Sequence, residues 1–440
     1  GDYNTAVGFN AGTGITSGNH NSAVGDNALD SSLSTSQFNT AIGGNALTAV
    51  NHADADYNTA VGYGAGMSVT SGLSNTFVGG LAGDGTDDGD DNTGLGAYAL
   101  SSNCANDNTA VGRSALNAFT GSDATAVGSG AADAAGSQTN LTAVGRNALG
   151  VATSGNNNTA VGATSLQTVD GTENSALGVN ALAADCVSNN SAVGYNALNA
   201  FTGSNATAVG AYAADVATDA ALLTAVGYAA LGVAVSNANC TAVGAYSLDA
   251  ATSGNNNTAL GVYSLSGTVD GSENTAVGFA ALGQDCVASN TAVGYNSLTA
   301  FTGSNATVIG SGAADAATSA THLTAVGKDA LGACTEGSTN TAVGSAALAL
   351  LVGTGTSAGT GGDDNCALGY AAGWSVTGLR NTVIGSDVAA FATTIDDCVA
   401  IGYRALKSAD GSNATGNYNV AVGNYALDAT TSGTQNVGVG

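Results

Sequence analysis

One apolar–polar phrase returns along the whole chain: Asn, then Thr or Ser, Ala, Val and Gly, then a variable residue, then Leu four places after the Gly. Residues 290–298 read NTAVGYNSL, while 21–29, 108–116 and 190–198 read NSAVGDNAL, NTAVGRSAL and NSAVGYNAL. Taking the Gly of each phrase as an anchor gives 26 anchors from Gly8 to Gly440, mostly 16 or 17 residues apart. Helical repeats need about 33 residues or more to turn twice. The short period instead predicts one coil of a β-solenoid, with two short strands and two turns per coil. The fold class expected is all-β: a parallel β-solenoid of about 26 coils.

Each column of the repeat carries its own expectation. The residue before the anchor is always Val, Ile or Leu, as at Val7, Ile42 and Leu177, and the residue three before it is mostly Thr or Ser. That second position becomes Val at Val399, Val420 and Val437, so both β-branched columns are expected to face inward. Ala lies between them (Ala6, Ala110, Ala292) and by alternation is expected outside, where a small residue admits a neighbouring chain. The anchor Gly turns the backbone, the next residue varies freely, and Leu returns inward (Leu116, Leu149, Leu298). Asn four before the anchor (Asn4, Asn158, Asn274, Asn381) suits a turn and can bond from coil to coil.

A longer period overlies the short one. FTGSDATAVGSGAADAA at 119–135 returns as FTGSNATAVGAYAADVA at 201–217 and FTGSNATVIGSGAADAA at 301–317, five and then six coils on. Adding a whole coil keeps all strands in register. One continuous domain, 1–440, is therefore expected, with irregular coils over 1–103, nested super-repeats over 104–345 and longer loops over 346–440. Pro is absent, as befits strands that pair on both edges. Gly1 already stands inside a repeat, the expectation for a mature product or an ordered piece of a longer chain.

Composition narrows the function. Gly supplies 66 residues and aromatic residues only 5%, so the core must be thin and built from Ala, Val and Leu. The net charge of −26, from 32 acids against 6 bases, argues against nucleic acid or an anionic membrane as partner. No apolar run is long enough to insert in a bilayer; AALALLVG at 346–353 is far too short. His20, His52 and His322 share no spacing, and no paired carboxylates recur in register near an Arg, so no catalytic residue is assigned and the chain is read as a non-enzyme. Seven Cys, with Cys104, Cys186 and Cys286 five and six coils apart, read as buried, reduced small hydrophobes. The Asn-x-Ser/Thr matches at Asn205, Asn305 and Asn413 are by-products of the repeat.

Two sets of positions carry candidate chemistry. The acidic stretch DGTDDGDDN places Asp84, Thr86, Asp88 and Asp90 at alternate positions, like the first half of a calcium loop, although Leu95 stands where the bidentate Glu would be. Calcium is the one cofactor in view, against a plain exposed acidic loop. The variable column after the anchor holds Tyr63, Tyr195, Tyr228, Tyr295, Tyr370 and Tyr403, positions free to address a partner without disturbing the core.

The NTAVGYNAL-type phrases resemble the head repeats of trimeric autotransporter adhesins, which run close to Ser-Val-Ala-Ile-Gly, and the Asn-Thr-Ala-Val-Gly arrays of phage and bacterial tail-fibre-like proteins. The coils here are longer than the usual adhesin unit. That resemblance implies a left-handed parallel β-roll, a side-by-side homotrimer and an extracellular place on a virion appendage or cell surface. The function it implies is a rigid fibre for attachment to a host or surface receptor, a glycan among the candidates. Alternatives are a bacterial surface adhesin, a self-assembling extracellular filament and, further off, an ice-binding solenoid, which needs an outward Thr array.

Overall fold

The computed structural model describes residues 1–31, 35–218, 220–233, 235–351, 362–408 and 415–440. It is all-β, with no helix among these residues, and forms a parallel β-solenoid of about 26 turns. The chain divides into two compact units, Gly1–Ala221 and Leu222–Gly440. The first holds β1 (Thr5–Val7) to β13 (Thr207–Val209), the second β14 (Thr224–Val226) to β26 (Val437–Val439). Within each unit every strand pairs in parallel with the next, residue for residue. Thr159, Ala160 and Val161 of β10 (Thr159–Val161) meet Ser175, Ala176 and Leu177 of β11 (Ser175–Leu177).

Among the described residues each coil contributes one three-residue strand, not two. Elsewhere pairing shrinks to isolated bridges such as Ser122 with Thr139 and Ser304 with Thr321. The reason lies beyond the anchor, where the second and fourth residues both adopt the left-handed conformation. Asn196 and Leu198 have φ of 54° and 52°, which excludes an extended strand. The anchor itself is stricter. Gly194 has φ +138°, and a Cβ there would lie 2.5 Å from the Gly210 carbonyl oxygen of the next coil. Only Gly satisfies both conditions.

The strand faces are the reverse of the sequence expectation. Ala is the inward residue: Ala23, Ala110, Ala192 and Ala292 are fully buried. Thr and Val on either side of it point out, and Leu177 and Val193 are 52% and 41% exposed. Volume explains the inversion. The inward Leu column (Leu116, Leu149, Leu198, Leu298) and the small residue before each Leu (Ala115, Ala148, Ala197, Ser297) already fill the narrow interior, leaving room for a methyl group only. Where the middle residue is larger, space is made nearby. Phe77 replaces Ala in β5 (Thr76–Val78), and Gly66, Gly83 and Gly94 stand around its ring.

The Asn column stitches the coils as expected, chiefly through the backbone. Asn4, Asn21, Asn39 and Asn58 each accept, through Oδ1, the N–H of the next coil's Asn at 2.8–2.9 Å. Their Nδ2 groups donate to loop carbonyls, as Asn58 does to Gly72 at 2.8 Å. Asn21, Asn39 and Asn58 are buried, and each satisfies polar backbone that would otherwise be orphaned. All seven cysteines are free and all but Cys366 are buried. Cys240 and Cys398 occupy the Asn column, and Cys366 replaces an outward Thr.

Candidate functional site

The inverted strands give each unit an outward face of two columns, Thr or Ser beside Val, Ile or Leu. Not one of these positions is charged, and the exceptions to Thr and Ser are Cys366, Val399, Val420 and Val437. In a chain of net charge −26 the acids are confined to the turns and loops. Leu260, Ile309 and Leu368 stand exposed on this face. Thr and Val repeat along it at the spacing of paired strands, about 4.8 Å.

The tyrosine column lies at the surface, from 38% exposed at Tyr403 to 64% at Tyr63. Register brings four of its six members into ring contacts. Tyr195 meets Tyr212 edge-on at 5.3 Å. In the second unit Tyr228, Tyr246, Tyr263, Phe279 and Tyr295 form a continuous run with centroids 5.3–6.0 Å apart. Tyr403 contacts Tyr425 at 5.5 Å and lies under the Arg404 guanidinium. Tyr63 joins none of these runs, and Tyr370 lines a recess with Trp374. Burial against its neighbours and the adjacent Tyr228 phenol push the Tyr246 hydroxyl above its ordinary range.

A second aromatic run, not foreseen, stacks Tyr3, His20, Phe38 and Tyr57 at 4.9–5.0 Å with planes within 9°. All four stand five residues before an anchor and have φ between 57° and 61°. Aligning the coils reveals this column, but its left-handed backbone gave the sequence no reason to single it out.

The acidic stretch does not converge. Thr86 turns inward, its Oγ1 3.3 Å from Cys104 Sγ. Asp90 accepts the Leu73 N–H at 2.9 Å, Asp88 is exposed, and Asp84 is half-buried with Oδ1 unpartnered. Burial holds the Asp84 carboxyl above the usual carboxylate range. Among the described residues no three His, Cys, Asp or Glu side chains come together to hold a metal ion. Asn205 and Asn305 are exposed and each donates to the preceding Ser hydroxyl; Asn413 lies outside the described residues.

Asp84 belongs to a column of its own, five residues after the anchor. Asp133, Asp215, Asp249 and Asp315 share the position, and burial raises all five carboxyls. No helix among the described residues is long and apolar enough to cross a membrane. No protein-family model matches the chain, and no curated protein matches it.

Proposed function

We propose that this chain is a non-enzymatic structural fibre or adhesin that works outside the cell, on a virion appendage or a cell surface. It binds a host or surface receptor. In this reading three left-handed β-rolls stand side by side, and the outward Thr–Val face of each covers that of its neighbours. The observation that carries the proposal is this uncharged, β-branched face in a chain otherwise so acidic. A solvated strand face ordinarily carries Lys or Glu, whereas a face without charge favours burial against another chain. Stacked coils supply stiffness, because each is bonded to its neighbours through strand, Asn and loop. Light scattering combined with electron microscopy tests the proposal: three chains per elongated particle are expected, and a monomer at every concentration overturns it.

A second reading rests on the same correction. The Thr column faces out, as an ice-binding face requires, and a regularly spaced Thr–Val surface supports ordered water as its partner. Inhibition of ice recrystallisation by a monomeric chain, with the face free, would favour this reading over the fibre. A trimer with no such activity excludes it.

A further inference from the structure

One column of the second unit carries two residue types found nowhere else in that column. Trp374, the only tryptophan in the chain, stands five residues after anchor Gly369, and Lys407 stands five after Gly402. Asp133, Asp215, Asp249 and Asp315 hold this position in four other coils, and most coils carry a neutral residue there. Ala390 occupies it between them, so an indole and an ammonium stand on either side of a methyl group. Beside them opens a recess of about 290 Å³ lined by Tyr370, Trp374, Asp387, Phe391 and Lys407. This volume lies at the lower end of small-ligand pockets, about 300 Å³.

The walls are fixed by the coils beneath. Trp374 packs edge-on to Phe391 with centroids 6.2 Å apart, and its carbonyl accepts the Leu350 N–H at 2.8 Å. Asp387 is held by its own N–H on the Tyr370 carbonyl at 2.9 Å, and Arg404 Nε stands 3.9 Å from its carboxylate. Lys407 Nζ lies 5.4 Å over the Phe391 ring, and among the described residues no carboxylate pairs with it. Three of the chain's six cations, Arg380, Arg404 and Lys407, fall within these coils. Arg380 is engaged by Asp397 in two bonds of 2.6 and 2.8 Å, and Arg404 faces Asp387, which leaves Lys407 to meet a ligand.

We infer that this recess binds a small acidic saccharide. Exposed aromatic rings suit the apolar C–H faces of a pyranose. The Asp387 carboxylate accepts from sugar hydroxyls, and the Lys407 ammonium pairs with a carboxylate or sulfate on the ring. Charge complementarity selects the acidic class: Lys407 is a cation in a column whose other charged residues are all Asp, and it offsets the local field of an acidic chain. All the lining side chains belong to one chain, so the site is complete in a monomer. Its fate is therefore separate from that of the fibre reading, which chain number decides.

Trp374 makes the test direct, since all tryptophan emission from the native protein reports on the recess. The full chain is titrated with sodium glucuronate and with oligogalacturonate, and a maltose-series oligosaccharide serves as the neutral probe. A saturable change in emission with the acidic sugars is expected, absent over the same range with the neutral one. Lys407→Gln should weaken binding by about tenfold or more, Tyr370→Ala should weaken it also, and Tyr295→Ala, outside the recess, should leave it unchanged. Unaltered circular dichroism of each variant shows that the fold survives. No saturable change, an equal response to the neutral probe, or indifference to Lys407→Gln overturns the inference.

Discussion

Asn365 binds Asn381 twice: Oδ1 of Asn365 accepts the Asn381 backbone N–H and its Nδ2, both at 3.0 Å. Asn365 Nδ2 also donates to the Gly378 carbonyl at 2.9 Å, so one buried side chain holds a strand entry and a loop of the coil beyond. Replacing Asn365 by Ala leaves these groups unpartnered, at an expected cost of about 2 kcal/mol or more. Coils contact only their neighbours, so the loss should be local. Hydrogen exchange should quicken by about tenfold or more at β22 (Cys366–Leu368) and β23 (Thr382–Ile384), with distant strands unaltered.

Phe77 and Gly83 form a large-for-small exchange. Gly83 stands where most coils have Leu, and a Cβ there would lie 2.5 Å from Phe77 Cε1. Gly83→Leu should therefore destabilise by about 1–3 kcal/mol. The same change beside Phe77→Ala, which restores the common pair, should recover most of that loss. A double-mutant cycle in urea measures the coupling, and additive effects would refute the pairing.

On the outward face, Val193→Lys with Val209→Lys should leave the coil intact, because neither side chain enters the core. Circular dichroism should be unchanged. Particle mass by light scattering should fall from three chains towards one if these faces meet between chains.

Cys366 reports on the same face. It is the one exposed thiol of seven, while burial pushes the Cys186 and Cys334 thiols up to about 11. At pH 8 a monomer should react quickly at one thiol and at the other six only on unfolding. Slow labelling of Cys366 at high protein concentration, fast on dilution, would mark a covered face.

Stability should rise on mild acidification. The carboxyls of Asp84, Asp133, Asp215, Asp249 and Asp315 are raised by burial, so the native state binds protons more tightly than the unfolded chain. Their contribution is full below the unfolded value of about 4 and is lost as pH rises through the raised native values. Asp170, held down chiefly by the Thr153 hydroxyl, and Asp397, held down by Arg380, act oppositely and lose stability only as pH falls through their lowered values. The melting temperature should thus be higher near pH 4 than near pH 7, and Asp215→Asn should reduce the difference.

Much of this could be read before the structure was known. The period set the solenoid, the parallel register and an Asn column that bonds from coil to coil, since identical residues at a constant interval stack on one another. Invariant Gly at the anchor followed from a backbone requirement, although its severity, a carbonyl oxygen 2.5 Å from any Cβ, belongs to the next coil. The aromatic runs needed the residues one and two places after the anchor to share a surface, as Tyr228 and Tyr246 do. Linear spacing does not show that.

What the sequence could not decide was phase. Alternation states that Thr291 and Val293 share a face and that Ala292 takes the other, and both assignments keep a two-residue period. One signal was available: the middle position holds Ala, Gly, Val or Phe and never a polar residue, whereas the position before it takes Thr, Ser, Cys or Val. The tertiary structure settles the matter through volume. An inward Leu column already fills the interior, so the methyl of Ala292 goes in and Thr291 and Val293 go out. The repeat by itself determined a solenoid; only the packed coil decided which surface that solenoid presents.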